Sequence, residues 1–170
     1  MPDMRRITMP NWCGNEVNIS GKVEDVAKLE ILVADKESPF SFNKIIPMPE
    51  ELRGTASPTR IVSQEEYYNF KLSKDDELLG VGKPITQEMS DRFKKEYGND
   101  NWYDWSNRNW GTKWNVSGGV KETFGDGEII YKFDTAWCPP EGIYMELSNQ
   151  FPDVDITWIW EDEEGEGGIL

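Results

Sequence analysis

Histidine is absent from this sequence, and cysteine is nearly so. Without histidine the chain lacks the commonest general base, the usual partner of a nucleophilic serine or cysteine, and the commonest metal ligand. The two cysteines, Cys13 and Cys138, do not make a structural zinc site on their own. We therefore expect a protein that is not an enzyme and that holds no metal and no cofactor.

Long apolar runs are also missing. No stretch of about 18 apolar residues exists to span a bilayer, so we expect no membrane partner. The first twelve residues, MPDMRRITMPNW, contain two arginines without a following apolar stretch, which is unlike a secretory signal. We expect a cytoplasmic protein, in which two thiols are favoured over a structural disulfide.

Basic residues are missing from the last part of the chain. After Lys132 the 38 remaining residues contain ten acids and no Lys or Arg, and they carry −10 of the net charge of −14. Such a field repels phosphate backbones and attracts cationic partners. The sequence thus argues against direct binding to long nucleic acid. The same acids also keep a small protein in solution, and both interpretations stay open.

Two β-α-β patterns are present. Residues 15–20 alternate as a strand, residues 22–37 have the apolar density of a helix, and residues 40–52 (FSFNKIIPMPEEL) are interpreted as a second strand. The order repeats in residues 127–137, 139–151 and 153–160, and a hairpin strand precedes the repeat. We predict one α+β domain over residues 1–170, a ferredoxin-like split β-α-β sandwich with an antiparallel sheet.

A helix-containing insertion of about residues 50–112 is predicted between the two halves. It contains the helix ITQEMSDRFKKEYG, with Thr86 as N-cap and Gly98 beyond its end. Its Ile85, Met89 and Phe93 recur at helical spacing, which indicates a buried face.

The predicted sheet also makes a geometric point. Its first and third strands are antiparallel neighbours, so the pairs Trp12-Cys13 and Trp137-Cys138 should meet at one end. We expect Trp12 and Trp137 to be core residues there and the two thiols to be close. Cys138 could sit at a helix N-terminus with a lowered thiol pKa, although a buried thiol is favoured.

Four tryptophans fall within WYDWSNRNWGTKWN, residues 102–115. Tryptophan and arginine are enriched in interface hot spots, and indoles stack on bases. A long connection also needs a small core of its own. We interpret Trp110 and Trp114 as structural, and we predict an exposed partner-binding patch at the four residues Trp102, Tyr103, Trp105 and Arg108.

Several segments together resemble one known family. They are MPNWCGN, FSFNKIIPMPEEL, NWYDWSNRNWGTKWNV, FDTAWCPPEGI and FPDVDITWIWEDEEGEGG. In this order they are similar to the ferredoxin-like domain of YubB-like proteins of plasmids and phages. The resemblance covers nearly the whole chain, implies the fold and supplies no catalytic residue. The family's opening begins here at Met9, so residues 1–8 are an extension or an upstream start. Longer relatives carry a further C-terminal segment.

Two functions of different classes follow. The first is non-catalytic binding of a host protein with a basic surface, through a phosphate-mimicking acidic face at Glu161, Asp162, Glu163 and Glu164; inhibition of a host defence system is its narrower form. The alternative is a small-ligand or nucleotide-binding domain whose site contains Arg108, Trp110, Lys113 and Trp114, with the two cations as phosphate contacts.

Overall fold

Five antiparallel strands form one sheet in the computed structural model, which describes residues 11–116 and 118–170. The strands are β1 (Trp12–Ser20), β2 (Val120–Thr123), β3 (Glu128–Ala136), β4 (Asp155–Asp162) and β5 (Gly167–Ile169). Their order across the sheet is β2-β3-β1-β4-β5. The central strand β1 therefore pairs with both β3 and β4, and the hairpins β2–β3 and β4–β5 form the two edges.

In the described part of the chain the α-helices are α1 (Val23–Val33), α2 (Phe42–Ile45), α3 (Gln64–Asn69), α4 (Lys74–Leu78), α5 (Gln87–Tyr97), α6 (Trp102–Asn109) and α7 (Glu141–Gln150). The order β1, α1, β2, β3, α7, β4 is that of a ferredoxin-like split β-α-β fold, and β5 adds an edge strand. The predicted fold class is confirmed.

The core lies on the helix side of the sheet. Strand β1 alternates strictly, with Val17 and Ile19 buried and Glu16 and Asn18 on the other face. On β4, Trp158 is fully buried, and its Nε1–H donates to the Asn15 Oδ1 at 3.0 Å. Burial of each large apolar side chain contributes about 1.5–3 kcal/mol, so this alternation fixes the register.

An aromatic cluster fills the space under the sheet. The ring of Phe40 lies 5.0 Å from those of Tyr131 and Phe133 and 5.9 Å from that of Trp158. Phe42 contacts Phe133 from the side, with ring centroids 5.8 Å apart. Residues just after α1 therefore belong to the core, although they are not in a strand.

The second strand predicted over residues 40–52 is wrong. The segment contains α2 and a 3-10 turn at Glu50–Leu52. Phe42 and Ile45 are both buried, at helical i, i+3 spacing, and the Ile46 N–H donates to the Phe42 carbonyl at 2.8 Å. The edge strand next to β3 is β2, which forms a local hairpin with it. Residues 47–109 therefore precede β2 in the chain.

Residues 47–109 form a second compact unit, and residues 11–46 with the described part of 110–170 form the first. In the second unit, α5 has the predicted ends. The Thr86 Oγ1 accepts the Met89 N–H at 3.3 Å, and Gly98 ends the helix in the left-handed conformation with φ 80°. As predicted, Ile85 and Phe93 are buried.

Asp100 is the polar centre of the second unit. Its carboxylate accepts hydrogen bonds from the Thr59 and Ser90 hydroxyls at 2.6 Å each, and the Lys94 Nζ lies 3.1 Å away. Burial acts to raise the pKa of Asp100, but the hydrogen bonds from Ser90, Thr59 and Lys94 outweigh it and lower the pKa below its usual value. The network thus ties α5 to the polar segment before it.

Candidate binding surface

The four tryptophans of residues 102–115 have different surroundings. Trp105 and Trp110 are 5% and 2% exposed, whereas Trp114 is 40% exposed and Trp102 is half-buried. The predicted exposure of Trp105 is therefore wrong, and so is the interpretation of Trp114 as a core residue. The reason is that residues 102–109 are helical, so that Trp105 faces inward together with Ser106 on one side of α6.

Three of the predicted partner-binding residues lie on the surface of the second unit. The rings of Trp102 and Tyr103 are 5.7 Å apart, and Tyr103 is 37% exposed. Arg108 is exposed, but its Nη1–H donates to the Gly98 carbonyl at 3.2 Å, so it covers the end of α5. Trp102 and Tyr103 are therefore at least partly accessible to a partner, whereas the Arg108 side chain stabilises the end of α5.

The four residues of the alternative ligand site have different surroundings. Arg108 belongs to the second unit and Trp110, Lys113 and Trp114 to the first. The buried indole of Trp110 donates its Nε1–H to the Ile46 carbonyl at 2.9 Å, which fixes the chain after α2. Lys113 places its Nζ 4.3 Å from the ring centre of Trp114. Trp114 lines a cavity, which is described below.

The predicted acidic cluster forms the β4–β5 hairpin. Glu161, Glu163 and Glu164 are exposed. Asp162 instead has a structural role, because its Oδ1 accepts the backbone N–H groups of Glu164 and Glu166 at 2.9 Å each. Three carboxylates are thus presented to solvent on a turn that the fourth one holds in shape.

We call the side of the sheet that faces away from the helices the open face. Its residues on the three central strands are Gly14, Glu16, Asn18, Ile130, Lys132, Asp134, Thr157, Ile159 and Glu161. Three of them carry a carboxylate: Glu16, Asp134 and Glu161. Gly14 pairs with Asp134 on β3 and with Glu161 on β4. Since glycine has no side chain, a trough of about 370 Å³ lies over it, with a carboxylate on each side.

Lys132 is the cation of the open face, and it is shared between two acids. Its Nζ lies 3.5 Å from the Glu122 carboxylate and 3.8 Å from that of Glu16. No other pair within 4.0 Å involves these three side chains in the described part of the chain. Lys132 also lines the trough over Gly14, whereas Asp134 and Glu161 form no ion pair within 4.0 Å in the described part of the chain.

A second cavity of about 520 Å³ lies where β3 ends. Its wall contains Trp12 and Trp114, whose ring centroids are 6.2 Å apart at an interplanar angle of 42°. Asp134 and Lys132 also line it, so it adjoins the open face. Glu16, Lys132 and Asp134 were not predicted as site residues; the alternation of polar residues along the predicted strands is the signal that could have found them.

The predicted meeting of the two Trp-Cys pairs is confirmed. Trp12 pairs with Ala136 and Cys13 with Thr135, and the Trp137 N–H donates to the Asn11 carbonyl at 2.9 Å. The core role predicted for Trp137 is wrong, since its side chain is 55% exposed. Its backbone has a φ of 74°, and the Cys138 N–H bonds to the Ala136 carbonyl, which makes a tight turn.

Neither thiol has the environment of a nucleophile. Cys13 is buried, and burial, which the hydrogen bond from Thr135 offsets only in part, raises its pKa to about 11. Cys138 is exposed, contrary to the favoured prediction, yet partial burial of its sulfur and the Glu141 carboxylate raise its pKa. Both sulfurs are therefore protonated at neutral pH, and the lowered pKa considered for Cys138 is not found.

Among residues 11–116 and 118–170, no group of three or more acidic, cysteine or histidine side chains is arranged to hold a metal ion. Over the same residues, every helix is too short or too polar to cross a bilayer.

Comparison with known proteins gives two matches. Residues 109–169, which contain β2 to β5, match a family model described as a ferredoxin-like domain in Api92-like protein. The crystal structure of protein api92 from Yersinia pseudotuberculosis superimposes with a TM-score of 0.52 at 12% identity, covering 95% of this chain and 93% of that one. No curated protein matches in sequence. This chain thus resembles Api92 in fold over nearly its whole length and matches the Api92-like family in sequence over residues 109–169.

Proposed function

We propose that this chain is a non-catalytic binding protein that contacts a basic surface on a partner protein through its acidic face. The acidic face comprises Glu16, Asp134 and Glu161 on the open face and Glu163 and Glu164 on the hairpin. One observation carries the proposal: Asp134 and Glu161 flank the bare Gly14, so two carboxylates border a trough that side chains of a partner can enter.

The charge of the acidic face gives it a preference for cations. Carboxylates spaced along a sheet and its hairpin set up a negative potential that steers a basic partner into place and disfavours nucleic acid. Lys132 lines the same trough, but its ion pairs are with Glu16 and Glu122. Lysine and arginine side chains of a partner would therefore meet four carboxylates without an ion pair within 4.0 Å in the described part of the chain: Asp134, Glu161, Glu163 and Glu164.

A narrower form of the proposal concerns the origin of the partner. If the chain belongs to a phage or plasmid, the partner is a host protein, and a row of carboxylates that imitates phosphates would block a nucleic-acid-binding surface of a defence system. This form rests on the sequence resemblance alone, whereas the acidic face is a property of the fold.

The experiment reverses the charge of the hairpin and leaves its structure intact. The variant Glu161→Lys/Glu163→Lys/Glu164→Lys keeps Asp162, whose carboxylate holds the turn. A matched control, Glu65→Lys/Asp75→Lys/Glu77→Lys, changes the net charge equally at exposed positions of α3 and α4. Each tagged variant is used for affinity capture from nuclease-treated lysate at low and moderate salt, with mass spectrometry.

We expect the unsubstituted chain and the control variant to retain one protein in stoichiometric amount at low salt and to release it as the salt concentration rises. The hairpin variant should not retain that protein at any salt concentration. Equal retention by both variants would show that the hairpin does not contact the partner. Equal loss from both would show that net charge alone causes retention, which also contradicts the proposal.

A further inference from the structure

Strand β3 has a partner on one side only over its second half. Strand β2 pairs with residues 129–132 of β3, and among residues 11–116 and 118–170 no strand continues that ladder beside residues 133–136. The Trp137 N–H bonds to the Asn11 carbonyl, so odd-numbered residues of β3 direct their backbone groups toward β1. Asp134 therefore directs its N–H and C=O away from β1, into the 520 Å³ cavity that it lines.

The cavity is closed at both ends along the strand. At one end Gly119 lies beside β3, and a Cβ there would be in ordinary contact with the Lys132 carbonyl oxygen, at 3.5 Å. At the other end the Thr112 hydroxyl donates to the Ala136 carbonyl at 2.8 Å. The free length of edge is about 10 Å, three residues of strand. A full β-strand of a partner does not fit there, whereas a small molecule does.

Two aromatic rings also line the cavity. The indoles of Trp12 and Trp114 stand 6.2 Å apart, and Trp114 is 40% exposed. The wall is held in place by Asn115, whose Oδ1 accepts the N–H groups of Phe42 at 2.7 Å and Val116 at 2.9 Å. A preformed cavity of several hundred Å³, mostly apolar with a few fixed polar groups, is the common form of a small-molecule site.

The charges around the cavity decide which ligands fit. Lys132 is engaged with Glu16 and Glu122, at 3.8 Å and 3.5 Å, and the Asp134 carboxylate adds a negative charge. Lys113, which lies 4.3 Å from the ring centre of Trp114, is not among the residues that line the cavity. A phosphate group placed beside Asp134 would therefore be repelled by that carboxylate. A backbone N–H beside a C=O pairs instead with a flat molecule that carries an acceptor next to a donor, and an indole stacks on such a ring.

We propose that this cavity binds an uncharged planar heterocycle of the nucleobase class, as a free base or nucleoside and without phosphate. The edge of the ring pairs with the N–H and C=O of Asp134, and its face lies against Trp114 and Trp12. The inference is independent of the acidic-face proposal, because a small-molecule titration needs no protein partner.

The test is a titration of the ¹⁵N-labelled protein followed by two-dimensional NMR. The probes are adenosine, guanosine, cytidine and uridine, with adenosine monophosphate as the charged comparison. The signals to follow are the backbone amide of Asp134 and the indole N–H groups of Trp12 and Trp114. Trp114→Ala removes one wall, and Trp137→Ala removes a more exposed indole that does not line the cavity.

For at least one nucleoside we expect saturable shifts of these three signals, with a Kd below about 1 mM, about the same in Trp137→Ala and at least about tenfold weaker in Trp114→Ala. The monophosphate should bind no more tightly than its nucleoside. The absence of saturable shifts with all four nucleosides would overturn the proposal. Binding by Trp114→Ala as tight as that of the unsubstituted protein would show that the ligand does not occupy this cavity. A preference of about tenfold for the monophosphate would show that the site accepts phosphate, contrary to the proposal.

Discussion

Asp134 on β3 and Glu161 on β4 pair with the same residue of β1, so the two carboxylates stand on either side of Gly14. The two acids are far apart in the sequence, and only the strand order β3-β1-β4 brings them together. Because β1 separates the two strands, the Asp134 and Glu161 backbones are about 10 Å apart, and their carboxylates border the trough over Gly14 from both sides.

A side chain at Gly14 should block the trough without changing any charge. A Cβ at this position would lie 3.6 Å from the Glu161 carbonyl oxygen and 3.8 Å from the Asp134 Oδ1, which are ordinary contacts, so Gly14→Leu is expected to fold. Binding of the partner retained by the unsubstituted chain should weaken at least about tenfold, a loss of about 1.4 kcal/mol. Titration calorimetry measures this.

The control for Gly14→Leu is Gly54→Asn, at an exposed turn of the second unit with open space around it. Asparagine tolerates the left-handed backbone that Gly54 has, with φ 70°. Unchanged affinity in Gly14→Leu would show that the partner does not enter the trough.

Asp100→Asn should destabilise the second unit. The change replaces a buried acceptor by an amide whose Nδ2 faces the Ser90 or Thr59 hydroxyl, and it removes the partner of Lys94. We expect a loss of about 1–3 kcal/mol at neutral pH, from denaturation monitored by tryptophan fluorescence. Asp91→Asn, on the exposed side of α5, should change stability by less than about 0.5 kcal/mol.

The difference in stability between the unsubstituted protein and Asp100→Asn should depend on pH. The folded-state pKa of Asp100 is lowered, so its stabilising contribution is complete above the unfolded-state pKa of about 3.9 and is lost as pH falls through the lower folded-state value. The stability difference between the unsubstituted protein and Asp100→Asn should therefore shrink on acidification below about pH 4. A constant difference would contradict the role given to this carboxylate.

Tyr131→Phe should leave stability unchanged or raise it by about 1 kcal/mol. The Tyr131 side chain is fully buried, and its hydroxyl has no hydrogen-bond partner among the described residues. Removing an unsatisfied polar group costs little. Thr135→Val is the matched control, because it removes a hydroxyl that donates to the Cys138 carbonyl at 2.8 Å and accepts from Asn15 at 2.9 Å.

For Thr135→Val we expect a loss of about 1–3 kcal/mol, measured by chemical denaturation as for Tyr131→Phe. A loss of similar size in both variants would mean that the Tyr131 hydroxyl contributes to folding, contrary to its place in the core.

Local periodicity predicted much of the fold. The alternation in β1, the helices α1, α5 and α7, and the pairing of Trp12 with the end of β3 follow from residue patterns and from the antiparallel sheet. The segment after α1 was predicted wrongly because Phe40 and Phe42 at i, i+2 suit a strand, while Phe42 and Ile45 at i, i+3 suit a helix. The helix forms because Phe42 packs on Phe133 in the tertiary structure.

The candidate surface was less predictable, because it joins residues from distant segments. Composition located the acids of the hairpin but gave no reason to combine them with Glu16 or Asp134, which the register alone brings near. Tryptophan-rich sequence likewise did not distinguish Trp105, buried on the inner side of α6, from Trp114, which is exposed beside Trp12.

The most direct test of the acidic-face account neutralises the carboxylates of the open face. The variant Glu16→Gln/Asp134→Asn/Glu161→Gln is compared with Glu65→Gln/Asp75→Asn/Glu77→Gln, which changes the net charge by the same amount on α3 and α4 of the second unit. Both should unfold at nearly the temperature of the unsubstituted chain, since all six side chains are at least partly exposed. The measurement is the Kd for the captured partner as a function of salt. The account predicts a large loss of affinity and of salt dependence in the first variant and little change in the second; the same Kd for both variants would contradict it.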